Sequence, residues 1–140
     1  MITPIAPSGT NTAQFEELIA RLEKLSGPDR EADLAILNTI SQKGTWFFHD
    51  KHRLVVICDE FGPGAPGNSV CSLEDFTGSI DAARTLILPE YSFGGLSQIS
   101  PRDWIMLIFS RTDSHARWEG EASTAEAAIC IAALRARSAA

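Results

Sequence analysis

The residues with chemical potential fall into a few short stretches. Gly62-Pro-Gly-Ala-Pro-Gly67 followed by Asn68-Ser69 has the G-x-x-x-x-G-x-S spacing of a phosphate-binding loop after an apolar run. Asn68 stands where the phosphate-reaching lysine would be, and Pro63 and Pro66 remove two N–H groups from the cradle. The stretch therefore reads as a surface loop. His49-Asp-Lys-His52, with Cys58 and Cys71 beyond it, offers zinc-ligand types. Residues three apart in a strand point to opposite faces, and Cys58 lies in a run that burial suits, so a polar hairpin turn is expected. Ser110, Asp113, Ser114 and His115 supply triad types within six positions. Side chains this close in sequence rarely converge as a triad, and neither serine sits in a Gly-x-Ser-x-Gly elbow. A connecting turn fits better.

Single groups are weighed the same way. Asp33 falls on an apolar stripe and could be a buried acid with a raised pKa. A carboxylate in the first turns of its helix, paired with Arg30 or Arg21, accounts for it without catalysis. Asp81 reads likewise. Cys130, set in an alanine-rich stretch, behaves as a small hydrophobe with a raised thiol pKa. No catalytic residue, cofactor or metal site is expected.

The elements that would position these groups follow from periodicity. Residues 1–11 hold Pro4, Pro7 and Gly9 and read as a loose arm, with one domain over 12–140. From Thr12, Phe15, Leu18, Ile19, Leu22 and Leu25 form one apolar helical stripe, and Glu17 with Arg21 makes an i, i+4 pair. Ser26-Gly27-Pro28 ends it, and a second helix carries Ile36, Leu37 and Ile40, giving a helical hairpin. Trp46-Phe47-Phe48 and Leu54–Cys58 are strand-like, the latter suited to cover on both faces. Gly62–Ser69 reads as a loop, the stretch after it to Phe76 carries little signal, and 49–75 reads as an insertion or loop region. Ser79 caps a third helix that Pro89 closes. Tyr91–Leu96, Trp104–Phe109 and His115–Ala122 read as strands, the middle one central. In the last, Ala116, Trp118, Gly120 and Ala122 alternate with His115, Arg117, Glu119 and Glu121, whose mixed-charge face should meet water. Ser123 and Glu126 have capping-box spacing before a nearly all-apolar closing helix, Ala125 to about Arg137.

The whole is 140 residues, enough for one domain, with 44% hydrophobic and 21% charged residues. Eighteen acidic against twelve basic residues give a formal charge of −6, which disfavours general nucleic-acid binding and docking on anionic membranes. No apolar run reaches the ~20 residues of a membrane helix, and the N-terminus lacks a signal-peptide pattern. Three unpaired-looking cysteines fit reduced thiols in a cytoplasm.

Phe76-Thr-Gly-Ser-Ile-Asp-Ala-Ala83, running into a helix closed by Pro89, resembles the central segment of the phage ABA-sandwich domain family. These are small proteins of tailed phages and prophages. Thr124–Arg137 looks like that family's closing Ala/Cys/Ala-Leu helix, and Gly27–Asp33 is similar to its first helical motif, with Trp46 near the place of a Gly-Trp. The resemblance covers most of 26–46 and 76–137, while His49–Cys71 matches nothing in it. It implies an α/β/α sandwich in a phage or prophage setting, within a bacterial host cytoplasm, and carries over no activity.

The expected fold is therefore α+β: a mainly antiparallel sheet, an N-terminal helical hairpin and a buried C-terminal helix. The expected function is a non-enzymatic accessory protein that binds a phage or host protein, and a homo-oligomer is compatible with it. The contacts would be His115, Arg117, Trp118 and Glu119. The alternative is a pocket for a nucleotide-like anion at Gly62–Gly67 or at the helix start near Ser79, where backbone N–H groups can hold an anion. A hydrolase ranks last.

Overall fold

A computed structural model describes residues 5–113 and 115–139. The fold is mixed α+β, with the elements α1 Ile5–Glu23, α2 Arg30–Ile40, β1 Trp46–Asp50, β2 Val55–Cys58, β3 Val70–Ser72, α3 Ile80–Arg84, β4 Tyr91–Ser100, β5 Asp103–Ser110, β6 Arg117–Ala122 and α4 Ala125–Ala139. The helical hairpin, the antiparallel strands and the buried C-terminal helix are all present. Of the arm expected over 1–11, residues 1–4 lie outside the described residues, and 5–11 extend α1 seven residues before Thr12. Pro7 is compatible with that start, because the first turn of a helix has no use for its missing N–H.

The six strands divide into two three-stranded antiparallel sheets, β1-β2-β3 and β4-β5-β6. Each sheet lays one face against helices. Trp46, Val56 and Cys58 turn inward from the first sheet onto Leu34 and Leu37 of α2. Met106 and Ile108 turn inward from the second onto α4, with Trp104, Trp118 and Leu96 at the margin. Helix α4 is buried on nearly every side, from Ala127 through Leu134 and again at Ala136, and it touches α1, α3, β4, β5 and β6. Its alanines permit this. At Gly120 the approach is closest: a Cβ there would lie 2.2 Å from the Ala128 carbonyl oxygen and 2.6 Å from the Ala132 nitrogen. Backbone of β6 and backbone of α4 meet with no room for a side chain.

Caps and edges are satisfied locally. Asp29 caps α2 by accepting from the Ala32 N–H at 3.1 Å, and Ser79 caps α3 by accepting from Ala82 at 3.2 Å. For α4 the cap is Thr124, accepting from Ala127 at 3.1 Å, one residue beyond the expected Ser123. Asn38 near the end of α2 satisfies the first residue on the open edge of β1, its amide donating to the Trp46 carbonyl at 3.1 Å while its oxygen accepts from the Trp46 N–H at 2.7 Å. A side chain there replaces a further strand.

The passage from the first sheet to α3 is tied to the start of α2. Arg30 donates to Asp33 and to Asp75, each at 2.7 Å, and to the Leu73 carbonyl at 3.0 Å. Asp33 is fully buried and accepts from the Thr77 N–H at 2.8 Å. Thr77 in turn accepts from the Asp29 N–H at 2.8 Å. Of the two expected partners for Asp33, Arg30 is the one that pairs, while Arg21 reaches Asp29 at 3.9 Å.

Candidate functional site

The stretches with chemical potential resolve first. The Gly62–Ser69 segment is a loop most of whose donors are spent on itself and on the residues just before it. Gly62 donates to Asp59, Ala65 to Gly62, Asn68 to Ala65, and the Asn68 side chain bridges the Phe61 N–H and the Gly62 carbonyl. Ser69 gives both its N–H and its hydroxyl to Glu60, so the serine that would face phosphate is committed to a carboxylate. Ser79 is likewise committed as a cap, and α3 has only five residues. His49 and His52 are exposed around the β1–β2 turn, Cys58 is buried on the inner face, and Cys71 is exposed on β3. Among the described residues no three His, Cys, Asp or Glu side chains converge as metal ligands would.

Ser110 accepts at its hydroxyl from the Thr112 and Asp113 N–H groups, and Asp113 accepts from the backbone N–H of His115, not from its ring. This is turn chemistry. Ser114 lies outside the described residues. A groove of about 470 Å³ runs between α1 and α2 and is lined partly by Asn38 and Thr39. Those two are engaged with Trp46 and with the Ala35 carbonyl.

The thiols make a direct check. Cys130 is buried and donates to the Phe76 carbonyl at 3.4 Å, and burial pushes its thiol pKa far up. Cys71 is exposed, its pKa raised by partial burial and then by Glu74. Ellman's reagent should therefore label one thiol in the native chain, more slowly than free cysteine, and all three after unfolding. Cys71→Ser should leave the native chain unlabelled. Fast labelling of that variant would show that the core opens readily.

What the geometry does assemble is an open sheet face. On β6, Arg117, Glu119 and Glu121 are exposed on one side, while Gly120 and Ala122 are buried on the other. Cross-strand register places Arg117 opposite Phe109, Glu119 opposite Leu107 and Glu121 opposite Ile105. On the other side of β5, Phe109 pairs with Ser92, Leu107 with Gly95 and Ile105 with Ser97. The Phe109 ring lies over Gly94, where a Cβ would come within 2.3 Å of it. The outer face of this sheet is thus an apolar row of three half-buried residues, bordered by small residues on β4 and charges on β6.

Among the described residues no helix or strand packs on that side, and none of the side chains of Arg117, Glu119 and Glu121 has an ion-pair partner. Of the expected contact residues, Arg117 and Glu119 lie on this face. His115 precedes the strand in an exposed turn. Trp118 faces inward, edge-on to Tyr91 with ring centroids 5.0 Å apart, and so stands on the opposite side from Arg117. Sequence reasoning missed Ile105, Leu107 and Phe109. The sequence signal is a strand apolar on both sides beside one whose outer side is charged, which puts an apolar row next to a charged one.

The first sheet has the same character on a smaller scale. Phe47, Ile57 and Val70 align across its three strands on the outer side, with Phe47 and Val70 about half exposed. No described helix is long and apolar enough to cross a membrane. Compared with family models, with curated proteins and with solved structures, the chain matches none of them.

Proposed function

We propose that the chain is a non-enzymatic accessory protein of a phage or prophage. In this reading it acts in the bacterial cytoplasm by binding a phage or host protein through the outer face of β4-β5-β6. The observation that carries the reading is the central strand. Trp104 to Phe109 is apolar without interruption, the pattern of a strand meant for cover on both sides, yet among the described residues helices pack on one side only. The phage setting rests on the residues that resemble the ABA-sandwich family.

The test is a photo-crosslinking residue placed at Glu119, on the face, and separately at Glu16, on the exposed side of α1. Discrete protein adducts from position 119 and none from position 16 are expected in the host cell. No adduct, or the same adducts from both positions, would remove the reading.

A further inference from the structure

Resting on that reading, we infer that the outer face of β4-β5-β6 seats an amphipathic helix of a partner protein, its apolar stripe flanked by lysine or arginine. Size comes first. The row Ile105–Leu107–Phe109 spans about 14 Å at roughly 3.4 Å per strand residue. A helix rises about 1.5 Å per residue, so positions i, i+4 and i+8 cover roughly 12 Å and meet all three side chains. Three strands measure about 10 Å from first to last, the width of one helix. A second copy of the chain fits less well: in a two-fold arrangement the face would meet itself and set its own carboxylates against one another.

Charge then selects the flank. Glu119 and Glu121 border the row along β6, and Asp103 stands at its start on the same face, all three exposed. Asp103 has a weak contact with Ser100 at 3.4 Å and, among the described residues, no ion pair. On the strands of this face Arg117 is the positive residue among those described, at the far end, and Arg102 precedes Asp103 in the turn. Three carboxylates beside an apolar row complement lysine or arginine beside an apolar stripe, and repel an acidic helix. The small residues Ser92, Gly95 and Ser97 on β4 let the helix settle against the other side of the row.

The experiment titrates the full-length, ¹⁵N-labelled chain with an 18-residue helical peptide bearing leucines at i, i+4 and i+8 between lysine flanks. The same peptide with glutamate flanks is the comparison. The lysine peptide should shift the amides of 105–109 and 117–121, with affinity falling as salt is raised. The double variant E119K/E121K, altered only at exposed positions, should weaken the lysine peptide at least ten-fold and favour the glutamate peptide.

Equal binding of both peptides on this face would overturn the basic-helix assignment while leaving the face a contact surface. Shifts confined to other elements, or no shifts at all, would also overturn it. The crosslink from position 119 then decides separately whether the face binds protein. Shifts at 105–109 on concentrating the chain alone would give the face to a second copy and overturn the inference.

Discussion

Gly120→Ala will cost about 3 kcal/mol or more of unfolding free energy, the upper range for overpacking a core. The total available to a domain of this kind is about 5–15 kcal/mol. The added methyl would strike the Ala128 carbonyl and the Ala132 amide, which are backbone atoms of α4 and cannot rotate aside. Either α4 moves off the sheet or β6 breaks from β5, and both lose burial along the rest of the helix. Urea unfolding followed by circular dichroism measures the loss. Gly95→Ala is the matched control, since a Cβ there meets nothing within 4 Å. A difference between the two below about 0.5 kcal/mol, the size of an ordinary surface effect, would mean that the contact between β6 and α4 yields freely.

Arg30→Ala should be of similar size and should depend on pH. Breaking a buried pair by removing one partner typically costs about 3–5 kcal/mol, because the other charge is left uncompensated. Asp33 is fully enclosed, and burial holds its pKa above the usual carboxylate value, opposed by the hydrogen bonds from Thr77 and by Arg30. Removing Arg30 takes away one of the lowering influences, so the pKa climbs further.

Between the unfolded and folded values the native chain binds more protons than the unfolded one, so stability falls as pH rises through that window. The deficit of Arg30→Ala is therefore largest above the window and shrinks on acidification. Adding Asp33→Asn should recover part of the loss at neutral pH, since the amide oxygen can still accept from Thr77. A small deficit that does not change with pH would show that the ties from Arg30 to Asp75 and Leu73, not the buried charge, are what matter.

Much of the fold was legible because its signals are periodic. The stripe from Phe15 to Leu22, the run Trp104–Phe109 and the alternation Arg117–Ala122 each match a face seen buried or exposed in the structure. The division into two sheets was not legible, because strand pairing is decided between elements and leaves no local mark. β3 was missed for a related reason: Val70, Cys71 and Ser72 are all exposed, so no alternation exists, and pairing with β2 alone makes them a strand. The start of α1 was hidden by Pro7 and Gly9, which read as loop formers although the first turn tolerates proline. At α4 two adjacent hydroxyl residues compete to cap, and spacing could not rank Thr124 over Ser123. The contact face was half visible: the charged side of β6 showed, but whether anything covers Ile105, Leu107 and Phe109 is a property of the whole chain.

Among the described elements helix α4 comes last in the chain, and α1, α3, β4, β5 and β6 all pack on it. A chain emerging from the ribosome can form its helical hairpin and pair neighbouring strands early, since those contacts are close in sequence. It cannot complete its larger core until residues near 134 have emerged, because α1 and the second sheet both find their partner there. Contacts separated by more than a hundred residues are slow to close. Until they close, Leu18, Leu22, Met106 and Ile108 remain solvent-facing on a nascent polypeptide. During that interval the emerging chain presents the kind of apolar surface that chaperones bind, and the docking of α4 ends the exposure.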